Sequence, residues 1–307
     1  MQKPKICVVG ACNLDLVSYV TRLPSMGETL HGNRFHMGFG GKGANQAVMA
    51  AKLGGDVTMV TKLGRDVFGQ DALKNFKTWG VVTHHVHFTD QAFTGVATIA
   101  VDTEGNNSII VVTGANDLLT PEELEAARPV IAASSVLVCQ LEIPLDINLA
   151  ALRIAREEGV KTIFNPAPAR SEIPEEFYQL SDIFCPNETE TELLTGMSVQ
   201  SLEEAESAAK VLIERGAAAV ILTLGERGSL LVTGTITEHV PVDSVKALDT
   251  TGAGDAFVGS LAFFLAAGKS LSDSIKCANQ IAAVSVQSSG TQTSFPEARD
   301  LPSELTH

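Results

Sequence analysis

Ile6-Cys7-Val8-Val9-Gly10 is apolar at every position before it stops at a glycine. A strand with one wet face alternates polar and apolar residues, whereas a strand covered on both faces is apolar throughout. The stretch therefore reads as a buried parallel strand. Runs of the same kind recur at 57–60, 136–141, 162–164, 183–185 and 220–224. Amphipathic segments with legible starts separate them. Thr120-Pro121-Glu122-Glu123 sets a cap, a first-turn proline and a capping-box acid in order, and Ser201 with Glu204 opens a helix expected to run to Gly216. Strand and helix in alternation predict an α/β fold, an open parallel sheet with helices on both faces.

Two stretches break the alternation. Residues 17–33 carry no helix signal and are rich in turn formers. Residues 93–114 read as an antiparallel hairpin, in which 95–101 alternates, 102–107 turns and 108–113 is β-branched and apolar. Together they predict a small sheet projecting from the main one. Its apolar face needs a cover, which a ligand or a second copy of the chain would supply. No internal repeat and no linker is visible.

The chain has 307 residues, enough for two domains at a prior of roughly 150 each, or for one large α/β domain with an appendage. Hydrophobic residues make up 45% and charged residues 19%, the balance of a folded chain. Lys and Arg number 22 against 36 Asp and Glu, a net charge of −14 with no basic run to offset it. Such a chain repels nucleic acid and anionic membranes, so a small substrate is expected. The five cysteines are scattered without a C-x-x-C pair, which argues for a reducing compartment and against a disulfide framework or a zinc site. The apolar run after Met1-Gln2-Lys3-Pro4-Lys5 is broken by Asn13 and Asp15 and is too short for a signal-peptide core. No stretch approaches the ~18 apolar residues of a membrane helix. A cytoplasmic protein is expected.

The strongest chemical signal is Asp249-Thr250-Thr251-Gly252-Ala253-Gly254-Asp255, followed by an apolar helix that ends near Gly268. A glycine-rich turn at a helix N-terminus exposes unpaired N–H groups at the positive end of the helix dipole, which makes an anion site. A carboxylate beside it is useful if it takes a proton from a hydroxyl that attacks a phosphoryl group. The alternative is a tight turn with a helix-start acid. Gly38-Phe39-Gly40-Gly41-Lys42-Gly43-Ala44-Asn45-Gln46-Ala47 contains a literal G-x-G-x-x-G, but it does not follow the first strand as a dinucleotide fingerprint should. It also lacks the Ser/Thr that follows a Walker lysine. It reads better as a loop whose backbone approaches a polar ligand, with Lys42 and Asn45 as donors, or else as a plain helix lead-in. Asn13 and Asp15 follow the first strand at its carboxyl end, where open α/β sheets bind ligands, and Glu142 lies at the same edge. An amide with a carboxylate suits vicinal hydroxyls, and turn-forming Asn and Asp are the alternative. Asn187 and Glu190 read as a capping box or as groups facing a Mg²⁺–phosphate region. Thr223-Leu224-Gly225-Glu226-Arg227-Gly228 reads as a nucleotide-lining turn or a hairpin turn. His84, His85 and His87 match no zinc spacing and read as an exposed strand, and Trp79 reads as core. No serine sits in G-x-S-x-G, and there is no nucleophilic-cysteine arrangement.

Taken together, these motifs resemble the ribokinase-like (phosphofructokinase-B type) carbohydrate kinases, from about Ile6 to Pro296. The resemblance rests on Asn13-x-Asp15, on 40–47, on Asn165-Pro166-Ala167-Pro168-Ala169, on Asn187-x-x-Glu190, on Thr223-Leu224-Gly225 and on 249–255. It implies one three-layer α/β/α domain over 1–307, with a small β-sheet lid from about 17–33 and 93–114 that commonly pairs two subunits into a homodimer. It implies ATP-dependent phosphorylation of D-ribose at the 5-hydroxyl, with Asp255 as general base and the turn Gly252, Ala253, Gly254 as anion hole. Asn13, Asp15, Gly41, Lys42, Asn45 and Glu142 would hold the sugar. Asn187, Thr223, Gly225, Gly228, Gly254 and Asn279 would contact ATP. Glu190 would organise Mg²⁺ through water, and Asp249, Thr251, Ser285, Gly290 and Ser294 would hold an activating K⁺. Kinases of the same fold for deoxyribose, fructose or adenosine, and a catalytically silent sugar-binding protein, are the rival readings.

Overall fold

A computed structural model describes residues 3–305, so the first two residues of the basic start and the last two of the expected 1–307 domain lie outside it. Among the described residues, nine strands form one sheet. Six parallel pairings join Val82–Thr89 (β5), Asp56–Gly64 (β4), Lys5–Val9 (β1), Val136–Cys139 (β8), Lys161–Phe164 (β9), Ile183–Phe184 (β10) and Ala219–Thr223 (β11) in that spatial order. Ser229–Thr233 (β12) and Thr237–Val240 (β13) extend it antiparallel at one edge. All the strands read from the sequence are present. The antiparallel edge was not foreseen, and it makes 223–228 the turn of a hairpin.

The apolar runs have a simple cause. Alternate residues of one strand feed opposite faces of the sheet, and both faces are covered. Ile6, Val8, Val57, Met59, Val136 and Val138 pack on one face, against Lys42–Lys52 (α1), Val67–Thr78 (α2), Ala253–Ala266 (α9) and Leu271–Ser285 (α10). Cys7, Val9, Val60, Leu137, Cys139 and Phe164 pack on the other. There they meet Pro121–Ala126 (α3), Arg128–Ala132 (α4), Leu145–Glu157 (α5), Glu176–Gln179 (α6), Glu188–Thr195 (α7) and Leu202–Glu214 (α8). This is a three-layer α/β/α arrangement. Thr120 and Ser201 cap α3 and α8 with both bonds of the capping box, each box worth about 1 kcal/mol. The second helix stops at Glu214, two residues short of Gly216, whose φ of +117° ends any helical path.

A second sheet has the order Arg34–Gly40 (β3), Asn13–Tyr19 (β2), Gly95–Val101 (β6) and Asn107–Val112 (β7). The hairpin at 93–114 is as read. The other half differs: residues 20–33 are the loop, and the strands are 13–19 and 34–40, so the glycine-rich 38–40 ends a strand. The central pairing of β2 with β6 is parallel, not antiparallel. Only Gly10, Ala11 and Cys12 connect β1 to β2, so Asn13 stands where the two sheets meet. All five cysteines are free and buried, and burial pushes the thiols of Cys7 and Cys12 up to about 12, helped at Cys12 by Asp15 and Glu142. The three histidines lie on edge strand β5, and no cluster of metal-ligating side chains exists among the described residues. Trp79 is half-buried beneath the Lys52 ammonium, 4.1 Å above its ring, a cation partner that the reading as plain core did not include.

Candidate active site

Helix α9 begins without a side-chain cap. Its N-cap, Gly252, has φ +79°, and a Cβ there would lie 2.6 Å from Thr291 Cγ2, so only glycine fits. The N–H groups of Gly252, Gly254 and Asp255 have no partner among the described residues, while the N–H of Ala253 donates to the Thr250 carbonyl at 3.2 Å. A Cβ on Gly254 would meet nothing within 4 Å, and Gly252, Gly254 and Asp255 all line a cavity. Asp255, in the first turn, is 6% exposed. Its Oδ2 accepts from Asn45 Nδ2 at 2.8 Å and its Oδ1 from Gln46 Nε2 at 2.9 Å. Unpaired N–H groups and an oriented carboxylate thus share one helix turn.

Helix α1 brings Lys42, Asn45 and Gln46 to this point. It starts at Gly41, φ +86°, where a Cβ would lie 2.7 Å from the Asn13 nitrogen. The Lys42 N–H donates to Glu142 Oε2 at 2.7 Å, which ties the end of β8 to the start of α1. Asp15 lies against Gly40, whose Cβ would be 2.3 Å from its Oδ1. Asn13 Oδ1 accepts from Asn116 Nδ2 at 2.8 Å, and Asn13 Nδ2 has no partner among the described residues. These groups make a crowded acidic field. Burial, then Glu142 and Asp255, raises the Asp15 carboxyl to about 6. Burial also raises Glu142 and Glu190, although Lys42 pulls both down. Burial alone would lower Lys42, yet Asp255, Glu142 and Glu190 hold its ammonium above the ordinary range.

Two adjoining cavities open beside the bare helix end. The smaller, about 160 Å³, is lined by Lys42, Asn187, Glu190, Gly252, Gly254 and Asp255. The larger, about 540 Å³, shares Asn187, Thr223 and Gly254 with it. Beyond them Gly225, Gly228 and an apolar wall that includes Val245, Phe257 and Val286 line it. Asn187 caps α7, accepting from the Glu190 N–H at 2.8 Å, and Glu190 Oε2 accepts from the Asn187 N–H at 2.8 Å. The capping box read from the sequence is therefore complete, and both residues line the smaller cavity. Asn279 also lines the larger cavity, but its amide is spent on the protein, accepting from Ser229 Oγ at 2.7 Å and donating to the Val240 carbonyl at 2.9 Å. Asp249 accepts from the Thr251 and Gly290 N–H groups, both at 2.9 Å, and these bonds hold its carboxyl low although burial opposes them. That brings Asp249, Thr251 and Gly290 together. Ser285 and Ser294 are buried nearby in sequence, and their hydroxyls donate to the Ala282 and Thr291 carbonyls, both at 2.8 Å.

Gln46 is a direct partner of Asp255 to which the sequence reading gave no role, and the wall at 242–247 was missed as well. The signal for Gln46 was its place. A glutamine inside an otherwise small and apolar buried helix must find partners.

A pfkB family carbohydrate kinase profile matches residues 3–298. A ribokinase of Mus musculus is 49% identical over 304 residues, covering 98% of this chain and 94% of that protein. A deoxyribokinase of Salmonella typhi is 40% identical over 291 residues, covering 95% of each. The solved structure of an Arabidopsis thaliana ribokinase complexed with ribose and ATP superposes with a TM-score of 0.89 at 31% identity, covering 97% of each chain.

Proposed function

The chain belongs to the pfkB family of carbohydrate kinases, and we propose that it transfers the γ-phosphoryl group of ATP to the 5-hydroxyl of D-ribose. The observation that carries the proposal is the uncapped end of α9 with Asp255 in its first turn. Phosphoryl transfer needs alignment and charge neutralisation more than covalent participation by the protein. The free N–H groups of Gly252 and Gly254 would receive the equatorial oxygens of the phosphoryl group in flight. Asp255 would accept the proton of the attacking hydroxyl. Asn13, Asp15, Lys42, Asn45 and Glu142 would hold the remaining hydroxyls, and the larger cavity would take the nucleotide, its apolar wall against the base. The acidic field suits a neutral polyol, and no arginine stands among these residues to receive a substrate carboxylate.

A triphosphate entering among Asp15, Glu142, Glu190 and Asp255 needs countercharge. Glu190 is a buried carboxylate on the cavity wall, a donor set that fits Mg²⁺ shared between one protein carboxylate and substrate phosphates. Mg²⁺ held there would neutralise charge on the phosphates. The oxygens of Asp249, Thr251, Ser285 and Ser294 and the Gly290 backbone would form a hard donor set of the kind K⁺ takes, and K⁺ there would stiffen the segment leading into Gly252. The second sheet would close over the sugar and exclude water as a competing acceptor. It would also pair with a second copy, since Phe35 and Ile109–Val112 expose large apolar side chains at 50–64%. Among the described residues no helix is long and apolar enough to cross a membrane, and we place the enzyme in the cytoplasm.

A coupled ADP-release assay with MgATP tests this, run on D-ribose, 2-deoxyribose, fructose and adenosine, with and without K⁺. The expected result is fastest turnover on ribose, rising with K⁺. The Salmonella typhi relative makes deoxyribose the second reading, and faster turnover on that sugar would move the substrate assignment while leaving the role of Asp255 intact.

A further inference from the structure

The two amides that hold Asp255 are themselves held. Asn45 Oδ1 accepts from Gln292 Nε2 at 3.0 Å, and Gln292 Oε1 accepts from Asn75 Nδ2 at 2.8 Å. On the other side, Gln46 Oε1 accepts from Gln140 Nε2 at 2.7 Å. Every amide in both chains turns its N–H towards Asp255 and its carbonyl away. Flipping any of them would set oxygen against oxygen on its inner side, at the carboxylate or at the next amide inward. The groups are sealed from water: Gln46 and Gln140 are 0% exposed, and Asn45 and Gln292 are 5% exposed. In such surroundings hydrogen bonds in series polarise one another.

The fold makes room for the two chains. A Cβ on Gly10, the residue after β1, would lie 2.1 Å from Gln140 Oε1 and 3.0 Å from Gly43 Cα, so glycine there leaves the room that Gln140 fills. The segment carrying Gln292 is pinned by the buried Lys52 ammonium, which donates to the carbonyls of Gln292 and Phe295 at 2.7 and 2.9 Å. The second N–H of Gln46 reaches Asn165 Oδ1 at 3.2 Å, which completes its bonding.

We infer that Gln46, Gln140 and Gln292 are positioning residues, an inward-pointing amide relay that fixes the rotamer of Asp255 and presents its remaining lone pairs to the substrate hydroxyl. The inference rests on Asp255 being the base. Two of the roughly four lone-pair sites of a carboxylate are taken by the relay, and the others face the cavity. Loss of a relay donor frees the carboxylate to rotate, so it lowers kcat and leaves sugar binding largely alone.

The test is a kinetic cycle on the full chain with D-ribose and MgATP. Gln46→Met removes the donor at similar length. It is expected to lower kcat about 30-fold with both KM values within about twofold, in line with the cost of displacing a catalytic group by a fraction of an ångström. Gln292→Met, one amide further out, is expected to cost about fivefold. In the Asp255→Ala background neither change should lower the residual rate further, since no carboxylate is left to position. A merely structural role would cost the same factor in both backgrounds, and that additive result would overturn the relay, as would an unchanged kcat in Gln46→Met. If Gln46→Met does not fold, Gln292→Met runs the same cycle. Full activity of Asp255→Ala by itself is a separate failure, that of the base assignment.

Discussion

Two helix N-termini face the same cavity, and they are built in opposite ways. Helix α7 closes its own end: Asn187 and Glu190 exchange both bonds of a capping box. Helix α9 leaves its end bare, with glycine at the N-cap and unpaired N–H groups on the wall of a cavity. Bare ends cost stability, because each orphan donor gives up a bond that a Ser or Asn would supply. On the proposed function, the difference separates a helix end used as a wall from one kept open for an anion.

The comparison can be broken in four places. Asp255→Asn at the bare end should fold normally and lose about 10³-fold in kcat, as expected for a deleted general base. Steady-state kinetics together with a melting curve check this, and near-normal turnover would remove the base. Gly254→Ala puts a methyl group into the open space above the donors. It should lower kcat by about 10- to 100-fold, less than the roughly 10²- to 10³-fold cost of deleting an oxyanion donor outright, while the fold gains up to about 1 kcal/mol of helix propensity. A stabler but slower enzyme is the signature to seek.

Glu190→Gln keeps the capping box, since glutamine serves at that position. It should raise the Mg²⁺ concentration needed for half-maximal rate about tenfold, with much of kcat recovered at saturating Mg²⁺. It should also raise Tm at neutral pH. Burial raises the Glu190 carboxyl, so its ionisation opposes folding above its folded pKa, and that penalty vanishes once it is protonated in both states. The gain over the wild type should therefore shrink as pH falls. Asn187→Ala is the mildest change, about 1 kcal/mol of stability from the lost cap, with kcat within a few-fold. A large kcat loss there would mean that the capped end is more than a wall.

Much of this was legible because it is local. The capping boxes at Thr120, Asn187 and Ser201 span three residues, and the turn before Asp255 carries its glycines in one run. The hairpin at 93–114 shows its own alternation and turn. Strands β2 and β3 were not legible as strands. β2 starts three residues after β1 and mixes polar with apolar positions, and β3 ends in glycines that the close approach of Asp15 and Asn13 requires. Gln140, Gln292 and Asn116 were not legible either. Their partners lie 94 to 247 residues away, and a single amide carries no pattern that points across such a distance. The antiparallel edge at β12 and β13 escaped because a hairpin turn and a ligand-lining turn use the same glycines, and here Gly225 and Gly228 make the hairpin turn and also line the larger cavity.

The buried thiols give the molecule a clock. A thiol must ionise to react, and burial denies Cys7 and Cys12 that state near neutrality, so labelling counts openings and not encounters. Cys12 sits in the joint between the two sheets, and Cys7 and Cys139 sit on adjacent strands in the middle of the large one. The order in which a thiol reagent takes these three would therefore time the joint against the core: Cys12 ahead of the central pair where the joint opens before the large sheet does, and together with them where the two sheets open as one.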